Sequence, residues 1–113
     1  MKNIFLLFIS LTLLTTAYSQ TKSPEERANE QTQNMKLELS LTAEQVNQIY
    51  EVNYGIIQKN DAIKNSSYTE EVKKQALEQN NQARNSMFKS ILTENQYAIF
   101  ERKLIEHNII KKH

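Results

Sequence analysis

The side chains with the greatest potential for chemistry in this sequence are two histidines near its C-terminal end, His107 and His113. Glu106 directly precedes His107, whereas metal ligands that share one helix face lie three or four residues apart. The two histidines are therefore only weak candidates for a zinc or copper site between protomers. We expect no bound metal and no other cofactor.

Catalytic groups are equally sparse. The sequence has one aspartate, Asp61, and no pattern places a serine and a histidine beside it. The acidic pairs Glu25–Glu26 and Glu70–Glu71 are explained by helix N-termini, where negative charge is favoured. The absence of cysteine excludes disulfides and thiol chemistry, and the single glycine excludes glycine-rich phosphate loops. The sequence therefore predicts a protein that is not an enzyme.

The N-terminal residues have the form of a secretory signal peptide. Lys2 precedes an apolar stretch over residues 4–14, and Ala17 and Ser19 suit a cleavage site before Gln20. The alternative, an uncleaved short anchor, fits less well because a membrane span needs about 20 apolar residues. We therefore predict a signal peptide over residues 1–19 and one domain over 20–113, with no stable membrane anchor after cleavage.

The charge balance changes once the signal peptide is removed. Lys2 is the only charged residue in the first nineteen, so residues 20–113 contain equal numbers of basic and acidic residues. A neutral domain lacks the basic surface that binds nucleic acid. The sequence predicts no nucleic-acid partner.

The elements that would position any site are helices. One glycine and one proline are too few turn residues for a hairpin-rich fold. Ser23 and Thr69 are N-cap candidates, each followed by two glutamates. We predict an all-α fold of four helices in two capped halves, elongated and dimeric, with helices over residues 24–38, 43–64, 70–91 and 94–110.

Two of these helices begin with the same device. Thr42 is placed to accept from the backbone N–H of Gln45, whose side chain can return to the Thr42 N–H, while Leu41 packs on the first turn. The same capping box and hydrophobic staple recur further along the chain. The predicted structural motif residues are Leu41, Thr42, Gln45, Leu92, Thr93 and Gln96.

The helix faces suggest association. Ile49, Ile56 and Ile63 follow a seven-residue pattern that is typical of a packing seam. Asn53 and Asn60 interrupt the seam, and three alternatives stay open: they set register between paired helices, they face an open groove, or they mark a wet surface. The last helix is apolar on most sides, which favours a dimer interface or an exposed hydrophobic groove.

The two strings Leu41-Thr42-Ala43-Glu44-Gln45 and Leu92-Thr93-Glu94-Asn95-Gln96 share the pattern Leu-Thr-x-x-Gln. Two such boxes in a small, helical, exported chain resemble the Spy/CpxP family. The resemblance implies a cradle-shaped homodimer in the periplasm of a Gram-negative bacterium, in which the box residues are structural.

The resemblance also implies a function. Spy-like members are ATP-independent chaperones that hold unfolded or folding clients during envelope stress, CpxP-like members damp a sensor kinase by binding its periplasmic domain, and related members bind metals. We take the chaperone as the first hypothesis, with the regulator and the metal-binding stress protein as alternatives. The client-binding residues we select for this hypothesis are Met35, Ile49, Ile56, Met87 and Phe88.

The capping boxes generate a prediction about stability. Changing Thr42→Ala or Thr93→Ala removes an N-cap acceptor, so each change should lower the free energy of unfolding by about 1 kcal/mol. Thermal denaturation followed by circular dichroism measures the effect. An unchanged melting temperature in both variants would mean that the helix starts are misplaced.

Overall fold

The structure is a computed structural model that describes residues 21–112. Within this range the chain is all-helical, with four helices and no strands, as predicted. The helices are α1 (Pro24–Leu39), α2 (Ala43–Lys64), α3 (Glu70–Ile91) and α4 (Glu94–Lys112). The predicted signal peptide over residues 1–19 and His113 lie outside the described residues.

The helix starts follow the predicted caps. The hydroxyls of Ser23, Thr42, Thr69 and Thr93 each accept from the backbone N–H three residues on. Two helix ends differ slightly from the prediction: α1 ends at Leu39 rather than at residue 38, and α4 ends at Lys112 rather than at residue 110. After Leu39 the chain leaves the helix because Ser40 takes a left-handed conformation with φ 55°.

The helices form a thin layer rather than a closed bundle. Short connections make neighbouring helices antiparallel, so α2 runs between α1 and α3 and packs against both. In the described residues, the backbones of α1 and α3 do not approach each other closely, and the backbone of α4 makes few contacts with either of them. The extents are 66 × 37 × 29 Å and the radius of gyration is 19.0 Å, against about 12 Å for a compact domain of this length. The predicted elongated shape agrees with the structure.

The apolar core lies at the end of the layer where all four helices meet. Phe88 on α3 is 1 % exposed and packs against Ile49 of α2, which is fully buried. The ring of Phe100 on α4 contacts the Phe88 ring edge to face, with 5.2 Å between centroids. The other buried members of this core are Leu39, Leu41 and Leu92.

Away from this core, Ala28, Ile56 and Ile57 are also buried, and polar contacts join the helices beside them. Asn53 is 2 % exposed and donates to the Thr32 hydroxyl of α1 at 3.0 Å, and Thr32 donates in turn to the Ala28 carbonyl. Asn60 accepts from the side-chain amide of Asn80 on α3, also at 3.0 Å. Because both asparagines bond across helix pairs, the register alternative agrees with the structure, and the burial of Asn53 excludes an open groove or a wet surface at that position.

An ion pair joins the far ends of α1 and α2. Both terminal nitrogens of Arg27 donate to the two carboxylate oxygens of Asp61. These bonds lower the pKa of Asp61 below its usual value and raise that of Arg27. The side chains are each about a third exposed, so the pair aligns the helices and adds little free energy.

Within the part of the chain that the structure describes, no helix has the length and apolar character needed to cross a lipid bilayer.

Gly55 lies in the middle of α2, where the sequence left open whether it permits a close approach or a bend or is merely tolerated. No atom outside its own helix backbone lies within 4 Å of the position that a Cβ would take. In the described chain, therefore, no neighbouring helix requires a glycine there.

This open space generates a prediction. Changing Gly55→Ala should raise the free energy of unfolding by about 0.5–1 kcal/mol, because alanine is the better helix former and meets no clash. Urea denaturation measures the change, and Ala62→Gly at an exposed position of the same helix should lower stability by a similar amount. A loss of stability in Gly55→Ala would contradict the conclusion that a Cβ at residue 55 meets no neighbouring atom.

Candidate functional site

The two Leu-Thr-x-x-Gln boxes form as the sequence predicts. In the first, the Gln45 backbone N–H donates to the Thr42 hydroxyl at 3.1 Å, and the Thr42 N–H donates to Gln45 Oε1 at 3.0 Å. In the second, the Gln96 backbone N–H donates to the Thr93 hydroxyl at 3.2 Å, and the Thr93 N–H donates to Gln96 Oε1 at 3.0 Å. Both boxes are therefore complete and nearly identical in geometry.

The two glutamines also bond to each other. Gln45 Nε2 donates to Gln96 Oε1 at 2.8 Å, and Gln96 Nε2 donates to Gln45 Oε1 at 3.1 Å. The two amides thus form a closed pair across residues that are 51 positions apart in sequence.

Each amide also reaches the end of a helix from the other half of the chain. Gln45 Nε2 donates to the carbonyl of Ile91, the last residue of α3, and Gln96 Nε2 donates to the carbonyl of Leu39, the last residue of α1, both at 3.2 Å. Helix C-termini leave carbonyls without partners, and these two bonds satisfy one at each end. Each amide oxygen has two donors and each amide nitrogen two acceptors, so neither glutamine has unused capacity.

We call this arrangement, Thr42, Gln45, Thr93 and Gln96 with the carbonyls of Leu39 and Ile91, the glutamine clasp. Its amides are partly buried, and the two staple residues beside it, Leu41 and Leu92, are each 7 % exposed. The sequence predicted both boxes but not their contact. The signal that points to it is the identity of the two strings, because a symmetric pair needs two copies of the same donor and acceptor.

The five predicted client-binding residues divide into two groups. Ile49, Ile56 and Phe88 are at most 5 % exposed. A partner that docks on the folded chain cannot reach these three, so the structure corrects their selection as surface contacts. The physical reason is that their apolar stripe faces the neighbouring helices.

The other two predicted client-binding residues lie at open grooves. Met35 is half-buried on α1 and lines a groove toward α4 together with Phe100 and Leu104. Met87 is 37 % exposed and lines a groove between α2 and α3 together with Val52 and Ile91. Polar and charged side chains also line the two grooves, with Glu38, Lys103, Glu106 and His107 in the first and Gln48, Glu51 and Ser90 in the second.

Other apolar side chains are exposed outside these grooves. Leu37 on α1 is 80 % exposed and Ile105 on α4 is 60 % exposed. The predicted apolar surplus of the last helix is visible at Ile105, while Tyr97, Ile99 and Phe100 pack partly against the core. Neither Leu37 nor Ile105 is among the residues predicted to bind clients.

Of the two weak metal candidates, only His107 lies in the part of the chain that the structure describes. His107 is exposed on α4, and His113 lies outside the described residues. In residues 21–112, no three side chains of histidine, aspartate or glutamate form a group that could hold a metal ion.

Comparison with known proteins gives one match. Residues 15–100 match the model of a family described as a domain of unknown function, DUF4890. The chain belongs to the DUF4890 family. The match includes both capping boxes and the helices between them, so the glutamine clasp lies inside the DUF4890 region. No curated protein and no solved structure matches the chain.

The clasp of this DUF4890 domain generates a prediction. Gln45→Ala and Gln96→Ala should each lower the free energy of unfolding by about 1–3 kcal/mol, because each leaves helix-end carbonyls and the partner amide without hydrogen bonds. The double variant should lose less than the two single losses together, with a coupling energy of at least about 1 kcal/mol.

Urea denaturation of the four proteins measures this cycle. Gln58→Ala, at an exposed position of α2, is the control and should change stability by no more than about 0.5 kcal/mol. Additive losses in the double variant would show that the two glutamines act independently.

Proposed function

We propose that this DUF4890 domain is an ATP-independent, chaperone-like protein of the periplasm that binds unfolded or folding clients during envelope stress. In this proposal it acts as a homodimer whose thin helical layers present a cradle-like surface. The resemblance of its two boxes to those of the Spy/CpxP family suggests the idea, and the surface of the folded chain supports it.

The observation that supports the proposal best is the position of Met35 and Met87. Each lies in an open groove that is lined by both apolar side chains and polar or charged ones. Methionine is flexible and polarizable, and surfaces that bind many partners use it because it adapts to different shapes. A groove of this kind suits weak contacts with varied apolar segments.

The shape of the domain adds further support. A thin layer leaves both of its faces near solvent, and Leu37 and Ile105 are exposed without any apolar cover from the described chain. Contact with a second copy or with a client would remove this apolar surface from water, at about 25 cal/mol per Å².

The proposal predicts that the purified domain, without residues 1–19 and without ATP, suppresses the aggregation of an unfolded client at an equimolar ratio. Light scattering of the client after dilution from denaturant measures this. Met35→Asp and Met87→Asp should each weaken suppression, because a carboxylate in the groove repels apolar segments. Full aggregation in the presence of the wild-type domain would overturn the proposal.

A matched control separates groove chemistry from added charge. Gln82→Asp introduces the same carboxylate at an exposed position of α3 that lines neither groove, and it should suppress aggregation as the wild type does. Equal losses in all three variants would assign the effect to net charge. Multi-angle light scattering should give twice the chain mass, and a monomer mass would overturn the homodimer.

A further inference from the structure

One basic side chain of the domain is held in place without an acidic partner. Arg84 is half-buried on α3, one helical turn before Phe88, and its guanidinium carbon lies 5.8 Å from the centroid of the Phe88 ring. Its Nε and one terminal nitrogen, Nη2, both donate to the side-chain oxygen of Asn85, at 3.2 and 3.1 Å. The guanidinium is therefore oriented by a ring below it and an amide beside it.

The contrast with Arg27 is direct. The guanidinium of Arg27 is matched by both oxygens of Asp61, whereas none of the ion pairs in residues 21–112 includes Arg84. Burial lowers the pKa of Arg84, and no neighbouring carboxylate offsets that effect. The group stays charged, because an arginine does not lose its proton in proteins.

The free edge of the guanidinium is open to a ligand. Asn85 occupies the edge formed by Nε and Nη2, which leaves the N–H groups of Nη1 and the second N–H of Nη2 on the opposite edge. Within the described residues Nη1 has no hydrogen-bond partner, yet it is not among the polar atoms sealed from solvent. Two parallel N–H groups on one edge match the two oxygens of a carboxylate.

The surroundings define what such a carboxylate must be attached to. Phe88 beneath the guanidinium is buried, but Met87, three residues after Arg84 on α3, is 37 % exposed and lies within one helical turn of it. Partial burial strengthens a charged hydrogen bond relative to the open surface. A segment that places an acidic side chain next to an apolar one would satisfy the guanidinium and cover Met87 together.

We infer that Arg84 is a binding position for the carboxylate of an acidic side chain, Asp or Glu, in an apolar segment of a bound polypeptide. This inference rests on the proposed chaperone-like function and names the chemistry that one client position would have. It adds selectivity beside the groove that Met87 lines, which would otherwise take apolar segments of any sequence.

Two labelled peptides test the inference. They share one apolar sequence and differ only at a central position, which is Glu in one and Gln in the other. Fluorescence anisotropy with the wild-type domain should show about tenfold tighter binding of the Glu peptide, the ratio expected for one charge-assisted hydrogen-bonded pair. Arg84→Gln should bring the two affinities to within about twofold of each other.

Two further variants make the result specific. Arg84→Lys keeps the charge and removes the planar edge, so it should retain only part of the preference. Arg102→Gln removes a cation from an exposed position of α4 and should keep the full preference. Circular dichroism of each variant checks that the helices are intact, and Arg84→Lys supplies the comparison if Arg84→Gln does not fold.

The outcomes separate the two proposals. Equal binding of the two peptides by the wild type would overturn the role of Arg84 alone, as would equal losses of preference in Arg84→Gln and Arg102→Gln. Binding of neither peptide would overturn both the role of Arg84 and the chaperone-like function.

Discussion

The arrangement of this domain depends on two glutamine side chains. Gln45 and Gln96 each complete the capping box of their own helix, bond to one another, and satisfy the last carbonyl of a helix in the other half. The clasp is therefore a direct polar link between the two halves at one end of the layer, and the bond from Asn80 to Asn60 is another, farther along α2 and α3. Leu41 and Leu92 beside the clasp fill the core, so the site that fixes the helix ends also fixes the apolar packing.

The contacts between helices are mainly apolar near the clasp and include more polar contacts farther from it. Near it, Phe88, Ile49 and Leu39 exclude water, and burial of apolar surface supplies most of the stabilisation. Farther away the helix pairs are matched by Asn60 with Asn80 and by Arg27 with Asp61, which fix alignment but contribute little net free energy. The end of the layer at the clasp is therefore held mainly by apolar packing, whereas the far part combines the buried side chains of Ala28, Ile56 and Ile57 with these polar contacts.

The sequence predicted what is locally determined. The caps at Thr42 and Thr93 follow from hydrogen bonds within four residues, so four helices and their starts could be derived without tertiary contacts. The contact of Gln45 with Gln96 could not, because capping chemistry is satisfied within each box whether or not the boxes meet. The same limit applies to Ile49 and Phe88. Periodicity identifies an apolar stripe on a helix but not the surface that the stripe packs against. In this chain the stripe packs against other helices of the same chain rather than facing a partner.

Overall neutrality and local charge recognition are compatible in this domain. Residues 20–113 contain equal numbers of basic and acidic groups, and a neutral domain exerts little long-range attraction on charged molecules. Short-range recognition depends instead on whether a given charge already has a partner. Arg27 is satisfied by Asp61 and is structural, whereas Arg84 is oriented by Asn85 and Phe88 and keeps one edge free. Under the proposed function, an oriented cation three residues from the exposed Met87 would discriminate among clients by contact rather than by attraction at a distance.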